Sequence, residues 1–598
     1  MAIDLATGTE KEANISDRYL YLMIGRFLAP YWKSLVAVGL MLIGVTIISL
    51  LPPYLIQRVV DGPIADGNLD DMIPFAMVYL LAIPLLFALR FGHVYLVQTV
   101  GQNALTNLRQ ELFEHIIRQD MRFFNKTPVG QLIARMSHDI ESLTEVLSTS
   151  IVVVISNLIT LVGIIFVMLS LNWRMALISL AVIPLMSLMT FYFRTRIRRH
   201  TRKLHALVGE YQSFVNEQCN GMTEVQLFGR QDISRQEFDQ INSDYRDVFE
   251  QTRDLYTYFS SGLQMFTAIG MTLVLVGGGI GVVNEWATIG MVIAFIQYTQ
   301  QSFVPILELS EQFAQIQSAL SAGERIARML EIEPDITDPQ SIKMNNQLEH
   351  TITLDNVEFW YEEGTPVLRG ISIDILAGQR VAIVGATGAG KTSLAGLIAR
   401  FYDVKGGAIK IGGIDIRDLS LKQLREYVMV VPQTPYCFNG TIRDNLTLFQ
   451  SGISDDILHN AAQIARSAQF IERLPDQYDH ELLPGAANLS QGQRQLLALT
   501  RALIHNPDSI LVLDEATSNI DTETEAMIQE GLTHILKNRT SITIAHRLST
   551  IRDSDRILVM KDGEIIEDGN HISLLAQGGA YAQLVQEQFA ETNLETEH

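Results

Sequence analysis

Cysteine is nearly absent from this 598-residue chain, which holds only Cys219 and Cys437, far apart in sequence. That excludes a disulfide framework and suits a reducing compartment. Positive charge is also in short supply, with 45 Lys and Arg against 66 Asp and Glu, a net of -21. A nucleic-acid partner calls for the opposite balance, so none is expected; the acid excess keeps a cytosolic part soluble. The first residues lack an apolar core and carry Asp4, Glu10, Lys11 and Glu12, so they do not read as a signal peptide. What the chain has in quantity is apolar side chain, 47% of residues, with a slightly positive mean hydropathy of +0.17. That balance points to a membrane share.

The apolar residues are gathered in the first half. Leu35–Ile56, Thr149–Leu171, Met175–Phe193, Leu263–Val283 and Trp286–Leu307 are uncharged runs, each about the length needed to cross ~30 Å of hydrocarbon as a helix. Met72–Leu89 is shorter but continues past Arg90 into "FGHVYLV", which makes six spans. The alternative, buried core helices of a soluble protein, does not suit six such runs in one half-chain. Charge sets the orientation. The short connections Gln57–Asp71, Asn172–Arg174 and Asn284–Glu285 carry only Arg58 and Arg174 as basic residues. The long connections Gln98–Ser148 and Tyr192–Gly262 include the basic run "RTRIRRHTRK". The long segments and both termini therefore face the cytoplasm. "RYLYLMIGRFLAPYWK" reads as an interfacial amphipathic helix. The long segments read as helical extensions of the spans, with turns expected at Phe123–Gln131 and Cys219–Gly229.

Beyond "EIEPDITDPQ" (Glu331–Gln340) the pattern changes to short β-type runs alternating with helical stretches. "RVAIVG", "SILVLDE" and "SITIAH" are compact apolar runs of the kind buried parallel strands show. The fold class that follows is an all-α six-helix transmembrane domain followed by an α/β P-loop ATP-binding domain. The expected boundaries are 1–34 for the N-terminal segment, 35–330 for the membrane domain, 331–350 for a linker and 351–598 for the nucleotide domain.

"GATGAGKTS" follows a strand and opens a helix, the context that gives G-x-x-x-x-G-K-[ST] its meaning. Gly385, Gly388 and Gly390 let backbone N–H groups wrap phosphate oxygens. Lys391 reaches the β and γ phosphates, and Thr392 offers a hydroxyl to Mg²⁺. "SILVLDEATSNID" ends a strand in two acids: Asp514 for the metal and Glu515 to polarise the attacking water. His546 ends another strand and is placed to meet the γ phosphate. Taken alone, Glu515 reads equally as a loop acid and His546 as a structural histidine. Their position at strand C-termini of a P-loop domain gives them weight.

The order of these motifs with "VPQTPYCFNGTIRDNL", "NLSQGQRQ" and "IAHRLSTI" resembles the ATP-binding cassette, from about residue 350 to 590. Six spans before one cassette, with "FFNKTPVGQLIARMSHDIESL" and "GERIARMLE", resemble an ABC exporter half-transporter over nearly the whole chain. The resemblance implies further roles. Tyr361 would stack on adenine. Thr387, Ala389 and Ser393 would complete the phosphate loop. Gln433 would sense Mg²⁺ and the γ phosphate. Ser490, Gly492 and Gln493 would close over ATP held by a second cassette, with Asp521 at the same interface. Two chains would then sandwich two ATP molecules. Turns near Phe124–Val129 and Asn220–Glu224 would pass cassette closure to the spans by alternating access.

Three stretches depart from the family pattern: "HELLPGAA" (His480–Ala487), "LSQGQ" and "SNID". All three face the partner's nucleotide, whereas the residues for the chain's own ATP are intact. This resembles one chain of a heterodimeric exporter, with a second, different half-transporter as partner; a homodimer stays open. The implied function is ATP-driven export of amphipathic, multidrug-like compounds from the cytoplasm or inner leaflet. A lipid or glycolipid flippase and an ATP-gated channel or regulatory subunit are the alternatives. Arg90 and His93 in the second span read either as cavity groups or as snorkelling side chains. Met186, Met189, Met265, Phe266 and Met271 read more readily as packing than as cargo contacts.

Overall fold

The computed structural model describes residues 25–68, 70–339, 348–514, 522–545 and 548–595. The chain forms two compact units. One runs through Ile117 and resumes from Pro128 to Ile332, while the other joins Arg118–Thr127 to the chain from Glu333 onward.

The first unit is helical. Five helical stretches among the described residues are long and apolar enough to cross a membrane: Gly25–Ile64, Asp70–Ile117, Val129–Leu171, Trp173–Asn220 and Gln231–Val283. The sixth expected run falls in helix Ile289–Glu331, whose middle, "QYTQQS", is too polar for that measure. Two of those polar groups, Tyr298 and Thr299, are buried and satisfied inside the bundle. The Tyr298 hydroxyl donates to the Leu50 carbonyl at 2.7 Å, and Ser179 and Thr299 share a hydrogen bond of 2.6 Å. An intramembrane hydroxyl with an internal acceptor costs the helix little. The start of this helix is pinned by Thr288, which caps Met291, and by Asp61, which accepts from the Gly290 N–H at 2.8 Å.

The cytoplasmic ends of the spans are single long helices, as expected. Ile73–Ile117 has 45 residues and Gln231–Val283 has 53. Three local expectations are corrected. The fourth run breaks between Trp173–Leu180 and Ile183–Asn220, because Pro184 at the second helix start has no N–H to continue the ladder. The two expected turns contain short helices, Met121–Lys126 and Met222–Leu227. Asp120 caps the former by accepting from the Phe123 N–H at 3.0 Å, and Pro128 starts the next helix. The third span carries two π-helical turns, Arg135–Asp139 and Val146–Ser150. Met186 is buried with Val182, Leu263 and Phe303, in keeping with packing. Met265 is exposed.

The second unit is built on two sheets. Five parallel strands stand in the order Arg556–Lys561, Arg380–Val384, Ser541–Ile544, Ile510–Asp514 and Val428–Val431, with Glu564–Gly569 antiparallel on one edge. The central strands are buried almost throughout, which explains their continuous apolar reading. An antiparallel sheet packs Leu368–Ile375, Ile352–Phe359, Gly406–Ile411 and Ile414–Asp415 side by side. A separate helical core built on Ile442, Leu446, Leu458, Leu496 and Leu497 carries helix Gln491–His505.

Helix Met121–Lys126 belongs to this second unit. Arg122 pairs with Asp335 at 2.6 Å, Asp120 accepts from the Asp335 N–H at 2.8 Å, and the Asn125 amide donates to the Tyr402 hydroxyl at 2.5 Å.

Candidate nucleotide site

Strand register brings the predicted groups to one edge. Ile544 stands opposite both Ile383 and Asp514. The chain after Val384, the carboxylate of Asp514 and the residues leading to position 546 therefore leave the sheet at one level, the end where parallel α/β sheets bind ligands. Glu515, Asp521 and His546 themselves lie outside the described residues.

The loop from 385 to 390 demands glycine at both ends. Gly385 has φ 152°, and a Cβ there would sit 2.2 Å from the Met560 carbonyl oxygen. Gly390 has φ 98° and starts helix Lys391–Ile398. Between them Thr387 and Gly388 are exposed while Ala389 is buried. The loop thus stands open to solvent above a helix N-terminus, the arrangement that binds anions.

Lys391 is 7% exposed. Its Nζ donates to the carbonyls of Gly385 at 2.8 Å and Ala386 at 3.0 Å. The ammonium therefore closes the loop on itself. Burial lowers its pKa, and the nearby Asp514 carboxylate opposes that shift. The Thr392 hydroxyl donates to Asp514 at 3.3 Å, which sets a hydroxyl oxygen beside a carboxylate oxygen. That pairing suits a hard cation.

Tyr361 is 43% exposed. It is held edge-on between Phe359 at 4.9 Å and Tyr402 at 5.2 Å, and its hydroxyl lies 3.0 Å from the Ser393 hydroxyl. An exposed ring fixed at its edges is ready for stacking. The same aromatic group lines a cavity of about 310 Å³ with Asp120, Arg122, Asp335 and Lys405. Nothing local in the sequence marks Tyr402 as a neighbour of this ring, or Asn125 as the donor to the Tyr402 hydroxyl 277 residues away.

Gln433 is exposed just after strand Val428–Val431. Ser490, Gly492 and Gln493 form a second, separate group. The Gln493 N–H donates to the Ser490 hydroxyl at 3.2 Å, and the Ser490 N–H donates to the Gln493 side chain at 2.9 Å. This is a closed capping box on a 15-residue helix. Arg494 fixes the approach by donating to the Leu489 carbonyl at 2.9 Å and the Ala486 carbonyl at 3.2 Å. Among the described residues, no hydrogen bond joins this group to the chain's own phosphate loop.

The ABC transporter transmembrane region family matches residues 35–306, and the ABC transporter family matches residues 368–518. An ABC transporter ATP-binding protein of Bacillus subtilis, YknV, is 34% identical over 94% of both chains. This chain is an ABC exporter half-transporter. An ATP-dependent lipid A-core flippase of Syntrophus aciditrophicus is 34% identical over 95% of this chain and 94% of its own. The solved structure of a bacterial Atm1-family ABC exporter with ATP bound superposes with a TM-score of 0.76 at 28% identity, covering 94% of this chain and 99% of that one. As an exporter half-transporter the chain uses ATP, hydrolyses it in support of transport, and is a multi-pass protein of the inner membrane with its cassette in the cytoplasm.

Proposed function

We propose that this half-transporter moves amphipathic compounds out of the cytoplasm or inner leaflet by alternating access. The observation that carries the reading is the buried Lys391 beneath an open glycine loop, with Thr392 and Asp514 converging beside it, in one chain with the membrane spans. Gly385, Thr387, Gly388, Ala389, Gly390, Lys391, Thr392 and Ser393 would hold the phosphates, and Tyr361 the adenine. Thr392, Asp514 and Gln433 would hold Mg²⁺, which neutralises phosphate charge when bound. Glu515 would polarise water, and His546 would contact the γ phosphate. Ser490, Gly492, Gln493 and Asp521 would serve a nucleotide on a second chain. Packing of helix Met121–Lys126 in the cassette unit supports a role for that segment in coupling.

The partner proposed is a different half-transporter. The stretch "HELLPGAA" supports this: it forms a tight turn with Gly485 and Ala486 at positive φ, stitched by Asn488 rather than by charges. A flippase acting as a homodimer is the second reading, favoured by relatives named as lipid A-core flippases. The test is to express the tagged chain alone and together with a second, unlike half-transporter chain from the same source. Co-purification of an unlike chain with cargo-stimulated ATPase is expected. Full stimulated activity in dimers of this chain alone contradicts the heterodimer.

A further inference from the structure

Among the described residues, helix Ile289–Glu331 meets the third span in an antiparallel register of hydrogen bonds. The Asn157 amide donates to Glu308 Oε2 at 2.8 Å, and the Ser150 hydroxyl donates to Gln315 Oε1 at 3.0 Å. These pairs are seven residues apart on each helix, so both lie on one seam. Further along, Arg325 closes the seam on Asp139 with two bonds of 2.9 and 2.5 Å.

Glu308 differs from Asp139 on this seam and resembles Glu145, which accepts from the Gln315 amide at 3.2 Å nearer the cytoplasmic end. Asp139 has Arg325 as counter-ion. Glu308 has the neutral amide of Asn157 as its hydrogen-bond partner and no Lys, Arg or His within ion-pair distance among the described residues. Depth makes this costly. Glu308 stands about 28 Å along its helix from the outer start at Ile289, and Asn157 about 21 Å from the outer end at Leu171, at ~1.5 Å per residue. Helical side chains lean toward the N-terminus, which tilts the Glu308 carboxylate into the inner-leaflet hydrocarbon. A lone carboxylate there costs about 2.5–3.5 kcal/mol on insertion scales, and such groups pair or face a cavity. One turn on, the Gln312 side-chain oxygen is buried with no donor. Two acceptors therefore lie near each other, and Asn157 occupies one carboxylate oxygen and leaves the other for a donor. The chemistry that satisfies both is a cation carrying N–H groups or a positive headgroup, at the depth where an inner-leaflet amphiphile holds its polar end.

We propose that Glu308, oriented by Asn157, is a recognition site for the cationic group of an amphipathic amine. This deepens the export reading and rests on it. It selects cationic cargo over fatty-acid or phosphorylated lipid cargo, whose charge the carboxylate would repel.

The experiment uses the full chain in inside-out vesicles with ATP. It compares a fluorescent alkyl-ammonium amphiphile with its neutral alkyl-alcohol counterpart of equal chain length. The quantity read is the ratio of their half-saturating concentrations, which cancels any general loss of protein. Glu308→Gln is expected to raise the ratio about tenfold toward the neutral compound, the size of one charge-assisted hydrogen bond. Glu308→Asp is expected to hold the wild-type ratio within about threefold, and Asn157→Ala to raise it by less than Glu308→Gln. An unchanged ratio in Glu308→Gln, with both compounds transported, overturns the proposal alone. Preference of the wild type for an anionic counterpart also overturns it. Failure of the wild type to transport any of them, while hydrolysing ATP, overturns it together with the export reading.

Discussion

The cassette presents two groups suited to phosphate, and they are built on opposite principles. The loop 385–390 is held open, with its lysine buried beneath it and hydrogen-bonded to the loop's own carbonyls. The start of helix Gln491–His505 is closed, with Ser490 and Gln493 satisfying each other. The first is organised to receive an anion within one chain. In the second, the Ser490 hydroxyl oxygen accepts from the Gln493 N–H, which leaves its own O–H as a donor; on the proposed reading that donor would meet a phosphate brought by a second chain. The contrast separates holding a nucleotide from closing over one. It also fits the distribution of substitutions: the open group follows the family pattern, and Gln491 sits in the closed one. Gln491 heads the helix without disturbing the capping box, so its presence alone leaves the helix start intact.

The comparison is broken most strongly at the chemistry. Glu515→Gln should keep ATP binding and lower phosphate release by about 10²–10⁴-fold, the usual worth of a general base. Nucleotide binding and turnover measured on one preparation check it, and a small loss would move the catalytic role elsewhere. Next comes the loop itself. Gly385→Ala forces a Cβ to within 2.2 Å of a carbonyl oxygen at positive φ. A destabilisation of roughly 3 kcal/mol or more is expected, with a lowered melting temperature and lost ATP binding. An unchanged melting curve would mean the loop rearranges freely.

Protonation of Lys391 gives a milder test. Its pKa is lowered by burial, so it loses its charge at a lower pH than a free lysine. ATP affinity should therefore fall as pH rises through that lowered value, and Lys391→Arg should flatten the profile. Titration calorimetry over the alkaline range reads this directly; equal slopes in both proteins would remove the lysine charge from the binding account. The smallest effect belongs to the closed group. Ser490→Ala removes one cap and should cost about 1 kcal/mol of cassette stability. It should leave ATP affinity of the chain's own loop unchanged while lowering turnover of the assembled transporter. Loss of affinity in the isolated chain would place both groups on one nucleotide.

Much of this molecule was legible in its sequence, for identifiable reasons. Apolar runs long enough for a bilayer and strands buried on both faces leave signals that need no tertiary knowledge. The phosphate loop is equally local: strand, glycines, lysine and helix follow one another. The sixth span was legible only in part, because Thr299 and Tyr298 find partners on other helices, while Ser302 donates back to the Thr299 carbonyl of its own helix. Contacts made at a distance left no trace. The helix Met121–Lys126 read as a turn, since its cap Asp120 and its ion pair with Asp335, 213 residues away, are set by packing. The bond between Tyr361 and Ser393 was hidden in the same way. Both residues were named from motif position, but their coupling depends on how the antiparallel sheet meets the helix after the loop.

The account rests on ATP held by the loop around Lys391 driving movement of an amphiphile. ATP-dependent uptake of a fluorescent amphiphile into inside-out vesicles, comparing wild type with Lys391→Ala at equal protein level, tests this most directly. The predicted result is uptake in the wild type and none above background in the variant. Equal uptake in both would contradict it.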